Sequence, residues 1–582
     1  MVAAEVNERA AADAAATRVP LVRLWFGFFL LLLSFAYGNF ENLDSGFTMQ
    51  GARALLRRGD SGLLQQKDGG DSIAEIAAAG YIAQYSGVAF GKTGTDGVHQ
   101  YVWFPIGHLG LMVPVVALGE RIAAAFPEIE DRYKAHVGND ETYAKGQFVV
   151  DQAVVALLLP SMFGATTIVL LFLIAQALGA SSRESLLCAL AIGFCTQCVS
   201  LFRETLSDGP GLTFVLAALL AIVRALGAGP APSWRAMVLG GVCAGAAVLT
   251  RYQHAFVVLA LGVWLAVVAL RPSAPRELRA RLVQFALGGV PMAAILFAAN
   301  IARFGSPMTT GYPPPLSWFD TPPWIGLPKI LFAAGKGILW LSPLLWLGFA
   351  AARRSASVPR FRALAWTLFA IPVLMFSCTN GWQSGQCWGV RYVTAGVVAF
   401  LALVLPQSRP WSTSPRAFRW LCVVGVFCAV TSVMAPTRGH NQLAGQAVLA
   451  EYEELRQKGQ IDDADLASVR ADQADKFFTM PRYSPLSANW RYAWLCATGA
   501  FEDENGNPRH GASGSVAPLF SHTSQDPARL LAPIHFEDRG FRWLWFVLWG
   551  ELLAVPWPLL LLPPLALALW LLSPLRRLLS KN

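Results

Sequence analysis

Stretches of about twenty apolar residues recur along this chain, and no other feature limits its fold as strongly. A bilayer core about 30 Å thick takes roughly 20 apolar residues per helix. Apolar runs at 21–37, 149–178, 211–228, 284–302 and 366–376 have that character. Of the 582 residues, 54% are hydrophobic and only 14% are charged, and the mean hydropathy is +0.44. A soluble core has no use for that much apolar surface. The chain therefore reads as an all-α polytopic membrane protein.

The net charge of +9 would suit a nucleic-acid partner if the basic residues covered one face. They sit instead in short clusters between apolar runs, which is the positive-inside pattern, and no nucleic-acid partner is expected. Arg18 and Arg23 precede the first span, so it runs from cytoplasm to exterior. Residues 1–20 read as a cytoplasmic tail: Glu5, Glu8 and Asp13 and the lack of a small-residue cleavage site argue against a cleaved signal, and Leu21 opens a retained helix. Later basic clusters, Arg183, Arg224 with Arg235, Arg271 to Arg281, Arg353 to Arg362, Arg409 to Arg419 and Arg576 with Arg577 and Lys581, should all be cytoplasmic.

That requirement decides segment 103–118, which is apolar but short and interrupted by Pro105, His108 and Pro114. If it spanned, every later basic loop would fall outside. It is read as an interfacial or re-entrant helix, leaving about 12 spans with both termini inside. The transmembrane core is then 21–434, including an external loop at 40–148. Residues 435–540 form an external soluble insert, and 541–582 hold the final span and a cytoplasmic tail. The other external segments are 202–208, 250–254, 303–337 and 378–391. Alternating charge over 450–478 reads as a solvated helical face.

Cysteines add little. Cys188, Cys195, Cys198, Cys243, Cys422 and Cys428 lie in apolar spans, where a thiol is a small hydrophobe. Cys378 and Cys387 share an external segment and are candidates for a disulfide. Cys and His have no zinc spacing, and there is no P-loop or dinucleotide fingerprint, so ATP-driven chemistry is unsupported.

What remains is a set of acidic and basic residues at the outer ends of helices, where a lipid phosphate would lie. Ionisable groups near a membrane are costly unless solvated or functional. A lipid-phosphate sugar donor carries its own activation, so a transferase needs only a carboxylate for the acceptor and cations for the leaving phosphate.

The stretch NLDSGFTMQGARALLRRGD at 42–60 is an acidic motif running into a short helix and glycine turn. FRETLSD at 202–208 ends on a second acid. VLTRY at 248–252, NIARFGSPMTTGY at 300–312, GKGILWLSP at 335–343 and GWQSGQCWGVRY at 381–392 follow in order. In this order they resemble the GT-C superfamily of polyprenyl-phosphate-sugar-dependent glycosyltransferases, in particular the branch with protein mannosyltransferases and the lipid A aminoarabinose transferase, over about 21–405. The resemblance implies a GT-C-like helix bundle with external juxtamembrane helices, Asp44 and Asp208 as catalytic acids, and Lys336 and Arg391 on the donor phosphate, helped by Arg203 and Arg251. Where the family often has a second acid, this chain has Ser45, which leaves Asp44 alone or with Glu41. No cofactor is required by this reading, and a divalent metal stays open.

Each residue also has a plainer reading. Asp44 and Asp208 stand where N-caps stand. Lys336 and Arg391 suit anchors reaching for lipid headgroups. Trp318, Trp324, Trp382, Trp388 and Tyr312 suit an interface belt better than sugar platforms. His99 and His108 are acid, base or ligand candidates whose default is solvation. The proline-rich stretch 311–328 cannot be helical throughout and is a candidate lid.

The expected function is inverting transfer of a sugar from a polyprenyl-phosphate donor to a glycan, lipid or protein acceptor of the cell envelope. The expected location is the bacterial inner membrane, with the site on the periplasmic side. Competing classes are a secondary transporter, for which repeats and midspan ionisable groups are lacking, and a polymerase or ligase using lipid-linked oligosaccharide.

Overall fold

The computed structural model describes residues 20–38, 40, 43–65, 73–84, 86, 91–137, 149–226, 233–312, 318–354, 359–384, 387–435, 437–471, 478–479, 481, 484–497, 542 and 544–580. The expected tail at 1–19, Glu41 and the second half of the insert lie outside these described residues.

Helix α1 (Leu21–Ser34) is followed by a run of shorter elements. These are α2 (Leu43–Arg58), α3 (Ile73–Gln84), an antiparallel ribbon of β1 (Gly91–Thr93) and β2 (Gln100–Val102), α4 (Ile106–Ala125) and α5 (Pro127–Val137). In the ribbon Gly91 lies opposite Val102. The bundle continues with α6 (Val149–Ala177), α7 (Ser182–Phe194), a 3-10 turn (Gln197–Phe202), α8 (Asp208–Leu226), α9 (Trp234–Thr250), α10 (His254–Ala269) and α11 (Arg276–Phe304). Then come α12 (Pro323–Phe332), α13 (Ile338–Leu341), α14 (Leu344–Arg354), α15 (Pro359–Ser377), α16 (Arg391–Ser408), α17 (Pro410–Thr413) and α18 (Pro415–Val433). The C-terminal part holds α19 (Thr437–Gln457), α20 (Asp463–Ala471), α21 (Pro485–Ala497), α22 (Trp545–Leu553) and α23 (Trp557–Ser580).

By length and composition, seven helices can cross a membrane: α4, α6, α8, α11, α16, α18 and α23. Five shorter apolar helices, α1, α9, α10, α14 and α15, accompany them. Six of the seven fall among the expected spans, and the seventh, α4, is the segment that the charge pattern kept out of the count. Helix α16 is the central one, buried along nearly its whole length from Arg391 to Pro406.

Alternating chain direction sorts the helix ends onto two faces. On one, Arg23 of α1 donates to the Leu571 and Trp570 carbonyls of α23 at 2.9 and 3.1 Å, and Arg409 after α16 pairs with Glu184 of α7 at 3.4 Å. Arg224 ends α8 and Arg276 opens α11 on this same face, so the basic loops gather as the charge pattern requires. The opposite face holds the ends that carry the motif residues.

The helix expected over 103–118 is present as α4, which runs unbroken through Pro114 for 20 residues. Local sequence predicts a break there, but packing on neighbours sustains the helix. Those neighbours also fix its place. Gly119 rests on Asp151 in the first turn of α6, while Leu109, Met112 and Val116 pack with Val155, Ala156 and Leu159. Helix α6 has 29 residues, about 43 Å at 1.5 Å per residue, which exceeds a bilayer core of about 30 Å. Thus α4 packs along the first three turns of α6, with its start seated on the end of α9.

Close backbone approach holds the central spans together. A Cβ on Gly241 of α9 would fall 1.8 Å from the Phe285 carbonyl oxygen, and one on Gly288 of α11 would fall 1.9 Å from that of Val238. Small residues let membrane helices approach this closely, where dispersion and not hydrophobicity holds them.

The described part of the insert is folded onto the core. Trp490 Nε1 and Asn489 Nδ2 of α21 donate to Thr431 of α18 at 2.9 and 3.0 Å, and Ser484 Oγ donates to the Ala334 carbonyl at 2.8 Å. The solvated face over its first helices is as expected, with Arg456 on Glu453 and Lys458 on Glu454 at the surface. The disulfide candidates are separate free thiols: Cys387 Sγ donates to the Ser384 carbonyl and Cys378 Sγ to that of Leu374. Each sulfur is thereby turned back onto its own loop or helix.

Candidate active site

Four motif residues far apart in sequence meet at the second face. Asp44 is the second residue of α2, Asp208 opens α8, Arg251 follows α9 and Arg391 opens α16. The polar break in VLTRY is real: Arg251 is extended, at φ −159° and ψ 122°, and this ends α9.

The four form an alternating chain of charge. Arg391 Nη2 donates to Asp44 Oδ2 at 3.2 Å, and its Nη1 stands 3.8 Å from Asp208 Oδ2. Arg251 Nη1 donates to that same Asp208 oxygen at 2.7 Å and to Ser207 Oγ at 3.0 Å. Gln253 Nε2 takes Asp208 Oδ1 at 2.7 Å. Both oxygens of Asp208 thus accept from side chains, not from the first-turn amides of α8 that an N-cap would satisfy. Its side chain is 1% exposed and that of Asp44 is 11% exposed, so Asp44 is the acid with access to a reactant. The rings of Phe104 and Tyr392 flank Arg251 at 5.5 and 5.2 Å, and Tyr392 also faces Arg391. Rings at this distance exclude water and strengthen the electrostatics.

The other two predicted cations are placed differently. Arg203 is held on the end of the bundle: Nη1 donates to the Ser432 carbonyl at 2.5 Å, Nε to that of Phe35 at 3.3 Å, and the Tyr37 ring lies 3.9 Å from its Cζ. These contacts tie α1, α18 and the 3-10 turn together. Lys336 is 1% exposed, with Nζ donating to the Gln383 carbonyl at 2.6 Å and lying 4.0 Å from the Phe478 ring. Burial of Lys336 and Arg391 excludes the headgroup-anchor reading for both. Glu204 bridges the two groups electrostatically. Burial pushes its carboxyl up to about 7, against the pull of Arg391, Arg203 and Lys336. Burial likewise pushes the Lys336 ammonium down to about 8.

The aromatic residues also depart from the belt expectation. Trp382 and Trp388 are buried. Tyr312 stacks on Trp103 with centroids 5.0 Å apart, and Trp318 and Tyr252 meet Tyr312 edge-on. Only Trp324, 75% exposed, suits a belt. His99 takes Asp96 at 2.5 Å near the surface, but His108 is buried. Part of the candidate lid, 313–317, lies outside the described residues, and α12 begins at Pro323 within it.

Several site residues escaped the sequence reading. Glu204 lies inside FRETLSD yet was passed over for Asp208. Gln253 and His254 follow the polar break, and the His254 Nε2 and His108 Nδ1 atoms are buried without a hydrogen-bond partner. Polar residues clustered beside a helix break were the available signal.

Residues 148–301 match the profile of a family described as dolichyl-phosphate-mannose-protein mannosyltransferase. That stretch includes Arg203, Asp208 and Arg251 and leaves out Asp44, Lys336 and Arg391. No curated protein matches. Solved structures that match include crystal structures of ArnT from Cupriavidus metallidurans. In its apo state ArnT is 13% identical, with 93% of this chain and 89% of that one covered and a TM-score of 0.41. Bound to undecaprenyl phosphate it is 14% identical, with 89% and 86% covered and a TM-score of 0.42. The chain is thus a polytopic helical membrane protein whose central spans, residues 148–301, are similar to the dolichyl-phosphate-mannose-protein mannosyltransferases.

Proposed function

We propose that the protein transfers one sugar from a polyprenyl-phosphate donor to an envelope glycan, lipid or protein acceptor, with inversion, at the periplasmic face of the bacterial inner membrane. The observation that carries this reading is the Asp44–Arg391–Asp208–Arg251 chain, set on the bundle face opposite the basic loops. Asp44 accepts the proton of the acceptor hydroxyl or amine as that atom attacks the anomeric carbon. The bond to the donor phosphate breaks, and its electron pair leaves with the phosphate oxygen. Arg391, with Lys336 behind it, stabilises the charge that develops there. Asp208 holds Arg251 in place and is a positioning residue in this scheme, not a second base. Arg203 anchors the bundle end.

A divalent ion does not fit between the two acids, because the Arg391 guanidinium occupies that position. No step is assigned to a metal.

The test compares lipid-linked and envelope glycans by mass spectrometry in cells with the intact protein, with Asp44→Asn, and without the gene. Loss of the same single-sugar modification in the last two is expected. Identical glycans in all three would sink the proposal, and loss of a whole oligosaccharide block would favour a polymerase or ligase.

A further inference from the structure

Ser45, beside Asp44 on α2, makes a specific contact. Its side chain is 2% exposed, and its Oγ donates to the Thr205 carbonyl at 2.8 Å. Thr205 belongs to the turn 203–207 that delivers Asp208 to the site, and every residue of that turn is buried.

The start of α4 is itself fixed. A Cβ on Gly107 would lie 2.5 Å from the Leu249 carbonyl oxygen, so only glycine lets α4 seat on the end of α9, two residues before Arg251. The Ser45 hydrogen bond therefore joins the helix that carries Asp44 to the turn that carries Asp208, beside the seat of α4 on the end of α9. An acid at position 45 would set a carboxylate against that carbonyl, acceptor against acceptor.

We propose that Ser45 is a positioning residue that sets the separation of Asp44 from Asp208 across Arg391 by donating to the Thr205 carbonyl. This rests on the reading of Asp44 as the base. The side chain at 45 is then a donor in place of a catalytic or metal-binding acid, and its loss displaces Asp44 without touching the cations.

The test uses membranes holding the full-length protein and, as donor, the polyprenyl-linked sugars extracted from the producing cells. Displacement of a base by a fraction of an ångström to 1 Å lowers turnover by up to about 100-fold, so Ser45→Ala should lower kcat about tenfold with donor KM changed less than about twofold. Ser45→Thr, which keeps the hydroxyl, should recover to within about threefold of the unaltered protein, and Ser45→Asp should fall below Ser45→Ala. Full activity in Ser45→Ala or Ser45→Asp would overturn the proposal, as would a loss carried wholly by KM or no recovery in Ser45→Thr. Asp44→Asn in the same assay separates the two readings. If it retains turnover, the base assignment fails; if it is inactive while Ser45→Ala is normal, only the positioning role fails.

Discussion

Helix α2 carries two ion pairs with opposite designs. At its start Asp44 meets Arg391; nine residues after Asp44, Arg53 meets Asp151 of α6 and Glu120 of α4. The Arg53 and Asp151 side chains are 2% and 0% exposed, and with Glu120 they bond α2 and α4 to the first turn of α6. The Asp44 pair is longer, is shared with Asp208, and leaves its acid partly open. A closed pair fixes distance between elements, whereas an open one leaves a carboxylate that a reactant can reach. Similar side chains on one helix are separated into structural and proposed chemical roles by access alone.

The comparison breaks most directly at Asp44. Asp44→Asn should lower turnover by about 10²- to 10⁴-fold, the usual worth of a general base, while thermal unfolding of the purified protein stays near that of the parent. Equal loss of stability would make Asp44 another structural pair. Arg53→Met should do the reverse. Leaving Asp151 buried and unpaired costs about 3–5 kcal/mol, so unfolding in detergent should shift down while the folded fraction keeps its turnover per molecule.

A smaller effect concerns pH. Burial holds the Lys336 ammonium at about 8, below its ordinary value. The group is therefore charged below about pH 8 and loses its charge as pH rises through that point. Donor KM should rise roughly tenfold per unit above pH 8 if Lys336 assists the phosphate, and Lys336→Arg should remove that rise. The same depressed value means that Lys336 favours the folded state at high pH and that this contribution is lost as pH falls through about 8. A flat KM between pH 7 and 9.5 would remove Lys336 from donor binding. The smallest expected effect is that of a chelator: with Arg391 between the acids, EDTA should leave turnover within about twofold, and a metal-restorable loss would overturn the arginine-only arrangement.

Much of this was legible in one dimension. Apolar runs long enough to cross lipid marked out the membrane helices, because a helix in a membrane satisfies its backbone alone and leaves its mark locally. Arginine clusters correctly separated the two sets of helix ends. Asp44, Asp208, Arg251 and Arg391 were legible as polar residues at helix ends in the motifs that carry the family resemblance. The helix expected over 103–118 is present, and packing against α6 carries it unbroken through Pro114.

The sequence alone determined that the chain lies in a membrane, which helix ends share a face, and which motifs bring charge to that face. Only the tertiary structure decided which charges meet. Arg391 reaches Asp44 across 347 residues, Arg203 spends its contacts on Ser432 and Phe35, Trp382 is buried, and Ser45 donates to Thr205. Contacts at such separations arise from how α2, α4 and the turn before α8 stack on the ends of α9 and α16. Hydrophobic periodicity, which records only each helix's own environment, does not encode them.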